Sequence, residues 1–350
     1  MAQQQQQPLH QVTPLVPAPL LARKNGLKHI YFKLDALQPG GSFKVQKRGE
    51  RVEELCAFIG AGGHHITKQL EAHPHLRIVV SSSGGNAGMA ATVAGTALNL
   101  EVLVFVPSST PLMMTTRLRA AGAQVIVAGT VWDEAHAAAL LYVAERGADT
   151  AMIVHPFEGE ALWEGHSSMV DEIADQLPTG VVPDAVICVV GGGGLLSGVV
   201  QGLERCYSGG NKKPTVVAVE TEGAASLAAA FAAGRPVPLA GGITSIAKSL
   251  GAVQISSQPL VLRDRYGADK VRSHVVTDAQ AVAAVVAFSD EFRILVEPSC
   301  GAGLALVYSQ GELVKALPEL GPDSVVVVVA CGGGMVTLEL IDTWRKMFGL

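Results

Sequence analysis

Four consecutive glycines, at positions 191–194, separate an apolar run from a segment with helical spacing. The run before them, residues 185–190, is continuously apolar, which is typical of a strand buried on both faces. Residues 197–203 have the spacing of a helix. A strand, a glycine-rich turn and a helix together bring several backbone N–H groups onto one anion at the positive end of the helix. The segment therefore predicts an α/β fold that holds a phosphorylated small molecule.

The rest of the chain repeats this alternation of strand-like and helix-like segments. Strand-like runs lie at 78–82, 102–106, 125–127, 185–190, 216–220 and 325–330, and helix-like segments include 86–98, 110–121 and 132–146. Continuous β-branched runs favour parallel sheets covered on both faces. Two blocks, about 76–158 and 180–340, follow each other without a linker rich in proline or glycine. We expect two doubly wound, mostly parallel-sheet domains with a ligand cleft between them.

Composition excludes several classes of function. The 350 residues carry a net charge of −5, so there is no basic footprint for nucleic acid. No apolar run reaches the ~18 residues needed to cross a bilayer. The five cysteines form no C-x-x-C pair, which indicates a reducing compartment with free thiols. The N-terminus lacks the pattern of a secretory signal, so we expect a cytoplasmic protein, with a transit peptide as the less supported alternative. The glutamine-rich residues 1–12 are expected to be a disordered tail.

Four motifs lie at or near the ends of predicted strands, where open α/β sheets bind ligands. They are residues 38–44 (QPGGSFK), 81–88 (SSSGGNAG), the tetraglycine loop at 191–194, and 330–334 (ACGGG). Each alone is weak, because a glycine-rich turn after a strand is more often ordinary turn chemistry. The tetraglycine loop also departs from G-x-G-x-x-G and lacks the G-K-[ST] ending of a nucleotide loop. A nicotinamide dehydrogenase is therefore an inferior alternative.

The four motifs in this order resemble the fold-type II pyridoxal-phosphate enzymes, and within them the catabolic L-serine/L-threonine dehydratases. The resemblance covers about residues 10–345 and includes WEGH at 163–166, ITSIAK at 243–248 and EPSCGA at 297–302. It implies a tryptophan synthase β-like fold, with the cofactor in the cleft between the domains. Residues 13–45 and 158–350 would form the larger, cofactor-binding domain, and residues 46–157 the smaller, substrate-side domain.

The resemblance assigns roles to individual residues. Lys44 would bind pyridoxal phosphate as a Schiff base and, once freed, take the α-proton of the substrate. Phe43 would cover one face of the cofactor. The loop that binds the substrate carboxylate would consist of Ser83, Gly84, Gly85 and Asn86, with Asn86 also bonding the ring hydroxyl. The phosphate cup would consist of Gly191, Gly192, Gly193, Gly194 and Leu195.

Two further assignments concern the ring nitrogen and a cation. Cys331 resembles the partner of the pyridine nitrogen; a thiol there favours a neutral ring and a less stabilised carbanion, which suits β-elimination. A monovalent-cation loop, for example for K⁺, resembles the set Glu220, Ala224, Ser226, Leu250 and Ala252. Ordinary turn chemistry is the alternative for each of these cation residues.

The sequence departs from the family in three places. Arg48 with Gly49 stands two positions late after Lys44. Gly84 occupies a position where relatives carry alanine or serine, which bears on turnover rate. The segment between Lys44 and Ser81 is long and carries His64, His65, His73 and His75, which we interpret as an exposed polar insertion in preference to a metal site. Three further histidines, His136, His155 and His166, are interpreted as structural or peripheral.

The activity implied by the resemblance is elimination of the β-hydroxyl of L-serine or L-threonine, which gives pyruvate or 2-oxobutyrate and ammonia. The cofactor phosphate would be the acid for departure of the hydroxyl. The resemblance also implies amino-acid catabolism, gluconeogenesis, a homodimer, and insensitivity to isoleucine, because no C-terminal regulatory domain follows. Alternatives are a serine racemase that uses Ser83 as a second acid/base, a β-replacement enzyme, and a paralogue that binds the cofactor with little turnover.

Overall fold

The computed structural model describes residues 10–44, 61–210, 212–334 and 336–350. Most of the predicted tail, residues 1–9, and Arg48 lie outside the described residues. The strands are β1 (Leu15–Pro17), β2 (His29–Lys33), β3 (Ile78–Ser81), β4 (Glu101–Val106), β5 (Gln124–Val127), β6 (Ala151–Ile153), β7 (Ala185–Val189), β8 (Thr215–Thr221), β9 (Val271–Val276) and β10 (Val325–Val329). The helices are α1 (Pro19–Lys24), α2 (Ala61–Ala72), α3 (Asn86–Ala97), α4 (Leu112–Ala120), α5 (Trp132–Arg146), α6 (Glu160–Gln176), α7 (Gly194–Tyr207), α8 (Ser226–Ala233), α9 (Gln258–Tyr266), α10 (Asp278–Phe292), α11 (Pro298–Tyr308), α12 (Glu312–Ala316) and α13 (Leu338–Phe348).

The chain divides into two compact units. The first consists of residues 1–12 and 38–168, and the second of residues 13–37 and 169–350. Each unit contains one sheet in which all strand pairs are parallel except the pair β1–β2. The predicted class, two α/β domains with mostly parallel sheets, is therefore confirmed. The domain boundaries at 45/46 and 157/158 and the ligand cleft between the domains stay predictions.

The sheet of the first unit is covered by helices on both faces. Its strand order is β5-β4-β3-β6. Along β3 the side chains alternate: Val79 packs with α2 and α3 on one face, while Ile78 and Val80 pack with α5 on the other. Because both faces are covered, the strands read as continuous apolar runs, and this is why they were visible in the sequence.

The sheet of the second unit has the order β1-β2-β10-β7-β8-β9. Strands β7, β8 and β10 are buried along their whole length. At the end of β2, Lys33 is completely buried. Its Nζ forms an ion pair with Glu172 and donates a hydrogen bond to the carbonyl oxygen of Thr13 at 2.6 Å. A buried ammonium group is thus neutralised by a carboxylate from α6.

Helix α2 corrects one prediction. It lies in the segment that we interpreted as an exposed polar insertion. Ile66 of this helix is completely buried and belongs to the apolar core of the first unit. The helix has an apolar stripe that packs on α3, and polar residues including His64 cover its other side. The interpretation as an exposed insertion is therefore wrong for residues 61–72.

No helix within the described part of the chain is both long enough and apolar enough to cross a membrane.

Candidate active site

Lys44 is half-buried, and the backbone of a distant segment holds its amine. Nζ donates a hydrogen bond to the carbonyl oxygen of Pro156 at 2.8 Å. The same nitrogen lies over the ring of Phe43, 4.9 Å from its centre. The amine predicted to be the nucleophile is thus positioned by a carbonyl acceptor and an aromatic face.

Two histidines flank this lysine. The ring of the completely buried His166 lies 5.1 Å from that of Phe43. Neither of its ring nitrogens has a hydrogen-bond partner among the described residues. Burial, and after it the charge of Lys44, lowers the pKa of His166 well below its usual value. Burial, then His136 and Lys44, lowers the pKa of His155 to about 4. Both rings are therefore uncharged at neutral pH, and neither histidine is peripheral.

The predicted carboxylate loop joins β3 to α3. Gly85 is the N-cap residue of α3, and no side chain caps this end of the helix. The N–H of Gly85 donates to Oγ of Ser83 at 3.3 Å, and Asn86 is buried at the first helical position. Uncapped first-turn N–H groups and the helix dipole form a favourable site for a carboxylate. The loop thus has the geometry expected for its predicted role, and the role itself stays a prediction.

Strand order explains why this loop and the Lys44 contact lie at one edge of the sheet. Strands β4 and β5 lie on one side of β3, and β6 lies on the other. The chain therefore adds strands on one side of β3 first and then crosses to its other side to form β6. Strands β3 and β6 pair in parallel, with Val80 opposite Ile153. Ser83 follows β3, and Pro156 follows β6. Ligands in open α/β sheets bind at such a switch point.

The second unit has its own switch point, which lies between β7 and β10. These strands pair in parallel with Val328 opposite Ile187. The tetraglycine loop follows β7, and Cys331 follows β10. The structure therefore brings the predicted phosphate cup and the predicted partner of the ring nitrogen to the same edge of this sheet.

The tetraglycine loop leaves the start of α7 open. Gly193 is the N-cap residue with φ of 98°, and no side chain caps this helix. A Cβ on Gly193 would stand 2.5 Å from Cγ of Pro259, so no larger residue fits without movement. The backbone N–H of Ser256 donates to the carbonyl of Gly192 at 3.2 Å. The buried Oγ of Ser256 has no partner among the described residues.

Cys331 is a buried, protonated thiol. Its pKa is raised well above the usual value, first by a hydrogen bond with Cys300 and then by burial; the nearby Glu297 and Asp35 act in the same direction. A thiol in this state is a neutral hydrogen-bonding group. It therefore has the chemical form that the sequence analysis expects opposite an unprotonated ring nitrogen.

Comparison with known proteins identifies the family of this chain. The sequence matches the family described as "Pyridoxal-phosphate dependent enzyme" over residues 7–332. The chain belongs to this family. It is 39% identical over 98% of its length to the human "L-serine dehydratase/L-threonine deaminase", of which 97% is covered. It is 37% identical to the mouse "Serine dehydratase-like", with 98% of this chain and 96% of that protein covered. The crystal structure of a fungal L-serine ammonia-lyase from Rhizomucor miehei superposes with a TM-score of 0.84, 32% identity, and coverage of 98% of this chain and 100% of that one.

The residues present fit the cofactor of the pyridoxal-phosphate enzyme family. The start of α7 has no side-chain cap, and its glycines leave no side chain between the backbone N–H groups and a bound phosphate. The unpartnered hydroxyl of Ser256 beside this loop lacks an acceptor that a phosphate oxygen would supply. Lys44 offers an amine for the cofactor aldehyde, and Cys331 a neutral thiol for the ring nitrogen.

The predicted cation residues include a buried carboxylate. Glu220 is completely buried, and its two oxygens accept the N–H groups of Leu227 at 2.7 Å and Ala228 at 2.9 Å. Burial raises its pKa to about 7, although both hydrogen bonds lower it. Oγ of Ser226 is buried without a partner among the described residues. The carbonyl of Leu250 accepts the N–H of Ala252 at 2.8 Å.

The histidines of the long segment do not gather around a metal. His64 contacts Glu164 at 3.2 Å, and His73 contacts Asp149 at 2.7 Å, a different partner. Burial lowers the pKa of His65. Among the described residues no group of three or more His, Cys, Asp or Glu side chains is arranged to hold a metal ion.

The sequence analysis assigned no role at the site to several of its neighbours. They are His155, Pro156, His166, Ser256 and Cys300. One signal was available for the first two, because residues 155 and 156 follow the short strand β6 at the carboxyl edge of a parallel sheet. No pattern in the sequence indicates that Ser256 or Cys300 lies beside a site residue, since these contacts depend on tertiary packing.

Proposed function

We propose that the protein catalyses the pyridoxal-phosphate-dependent elimination of water from L-serine and L-threonine, which yields pyruvate or 2-oxobutyrate and ammonia. The observation that carries the proposal is the amine of Lys44, held at 2.8 Å by the Pro156 carbonyl beside the Phe43 ring. It occurs in a chain whose relatives at 37% and 39% identity are named as serine dehydratases or as similar to them.

Each residue has a defined task in this reaction. Pyridoxal phosphate, when bound, supplies a sink for the electrons of the Cα–H bond. The backbone N–H groups of residues 191–195 would hold its phosphate, and the protonated thiol of Cys331 would hold the ring nitrogen. Nζ of Lys44 would hold the aldehyde carbon and would take the proton from Cα of the substrate.

The loop of residues 83–86 binds the substrate carboxylate at the start of α3. This contact would orient the substrate for removal of its Cα proton. Departure of the β-hydroxyl with a proton releases water, and hydrolysis of the product then gives the 2-oxo acid and ammonia. Uncharged His155 and His166 add no positive charge beside Lys44, which leaves the amine free to accept a proton.

We also propose a monovalent cation, K⁺ by charge and ligand type, at Glu220, Ala224, Ser226, Leu250 and Ala252. The buried carboxylate of Glu220 and the unpartnered Oγ of Ser226 support it, since both are oxygen donors of the kind that hard cations prefer. The family resemblance further suggests a cytoplasmic homodimer that acts in amino-acid catabolism and gluconeogenesis. Light scattering of the purified protein tests the homodimer, and cell fractionation tests the cytoplasmic location.

The purified protein provides the decisive experiment. Its visible absorbance should show the bound cofactor, and addition of L-serine should release pyruvate and ammonia in equal amounts. Reduction with borohydride and peptide mapping should place the cofactor on Lys44, and Lys44→Ala should abolish both the visible band and the activity. Bound cofactor without keto acid would contradict the proposal. Accumulation of D-serine in a chiral assay would instead favour the racemase that Ser83 permits.

A further inference from the structure

The segment that follows β6 is organised by one imidazole ring. Nδ1 of His155 receives the backbone N–H groups of Phe157 at 3.3 Å and of Glu158 at 3.0 Å. Both partners are donors, so Nδ1 must be the acceptor and carries no proton. In the neutral ring the proton is therefore on Nε2. The centres of the His136 and His155 rings are 5.8 Å apart, and His136 hydrogen-bonds with Ser82.

Pro156, the residue between His155 and Phe157, holds Lys44. The carbonyl of Pro156 and the N–H of Phe157 belong to one peptide unit, which is planar and trans, because the described residues contain no cis peptide bond. In a trans peptide the C=O and N–H bonds point in opposite directions. His155 binds the N–H end of this plane, and Nζ of Lys44 binds the C=O end at 2.8 Å.

We propose that His155 is a positioning residue for Lys44: its unprotonated Nδ1 fixes the Pro156–Phe157 peptide plane and thereby directs the Pro156 carbonyl at the amine. Proline contributes by fixing its own φ and by restricting His155 to an extended backbone. The hydrogen bonds stand without reference to activity, but the part that concerns catalysis rests on the proposed function of Lys44.

The restraint of the Lys44 amine matters in the step in which the substrate amine displaces Lys44. A released lysine side chain has four rotatable bonds, and each must be restrained if the amine is to be ready for the Cα proton. A fixed carbonyl acceptor holds the amine in one place. Without His155 the peptide plane is free to rotate, and the acceptor is lost for part of the time.

Two substitutions separate this role from a space-filling one. His155→Asn retains an acceptor that can bond the same two N–H groups, as asparagine does in turns. His155→Leu fills similar space but accepts nothing. The control is His73→Leu, because His73 lies in the same unit and its ring contacts the exposed Asp149, which is not part of the segment after β6.

The assay uses the holoenzyme mixed with glycine, which has an amine and a carboxylate but no β-leaving group. Displacement of Lys44 is followed by stopped-flow visible absorbance. We expect His155→Leu to slow the displacement and the return of Lys44 by about three- to tenfold, the value of one neutral hydrogen bond. His155→Asn should restore most of the rate, and His73→Leu should leave it unchanged. Equal rates for His155→Asn and His155→Leu, or an unaffected His155→Leu, would overturn the proposal.

A second measurement does not depend on the variants folding. Nitrogen-15 NMR of histidine-labelled wild-type protein distinguishes an unprotonated Nδ1 from a protonated one. The proposal requires His155 to carry its proton on Nε2, and a proton on Nδ1 would overturn it. Borohydride mapping that placed the cofactor on another lysine would defeat the proposed function of Lys44, while the NMR result would still report on the peptide plane.

Discussion

The buried carboxylate of Glu220 should make the stability of the second unit depend on pH. Burial raises its pKa from 4.5 to about 7. The folded state therefore binds the proton more tightly than the unfolded state does. The resulting stabilisation is fully present below pH 4.5 and is lost as the pH rises through about 7. At ~1.36 kcal/mol per pKa unit the loss amounts to about 3 kcal/mol.

The free energy of unfolding in urea, measured from pH 4.5 to 8.5 without potassium, tests this value. The matched variant is Glu220→Gln, which keeps one acceptor for the N–H groups of Leu227 and Ala228. At low pH the variant should be less stable by about 1 kcal/mol, because one hydrogen bond is lost. The wild type should then lose about 3 kcal/mol relative to the variant as the pH rises. A constant difference across the pH range would refute the reasoning. A flatter wild-type curve in potassium chloride would support a cation beside the carboxylate.

Three other substitutions test packing and binding. Gly84→Ala places a Cβ 2.9 Å from Cγ2 of Thr110, so kcat/KM for L-serine should fall by about tenfold. The second change Thr110→Ser removes that methyl group and should restore most of the lost kcat/KM. Lys33→Met leaves Glu172 buried without its ammonium partner and should lower the free energy of unfolding by about 3–5 kcal/mol. Lys33→Met combined with Glu172→Leu should recover most of the lost stability. Ser256→Ala should weaken cofactor binding, measured by equilibrium dialysis, by about three- to tenfold, and an unchanged affinity would show that its hydroxyl does not contact the phosphate.

The sequence predicted the buried centre of each sheet better than its margins. The valine run of β10 and the apolar run of β7 agree within one residue at each end. Strands β1, β2, β6 and β9 were not identified. Strands β1 and β6 have three residues each, and β9 is buried only at its two end residues and carries polar residues between them, so no continuous apolar run marks these three strands.

The residues of the candidate site also differ in whether the sequence predicted them. Lys44, Asn86 and Cys331 lie in local motifs, and a resemblance of ordered motifs was enough to select them. His155 and Pro156 depend on β6 lying beside β3, and strand order across a switch point is a property of the folded chain. His166 ends the WEGH motif at 163–166, but the sequence analysis interpreted it as structural or peripheral. Its position against Phe43 follows from tertiary packing that no spacing rule describes.

The pairing of β2 with β10 has a consequence for how the chain is made. His29 of β2 lies opposite Val325 of β10. Strand β2 is synthesised near the beginning of the chain, so it can pair with β10 only after nearly three hundred more residues have been translated. Until then one edge of β2 has no partner, and the valines of β10 are still inside the ribosome. Residues 38–168 are translated in the interval and contain a complete sheet. The second unit therefore closes late, after a long loop has been bridged at an entropic cost, and the order of synthesis makes its sheet the slower one to form.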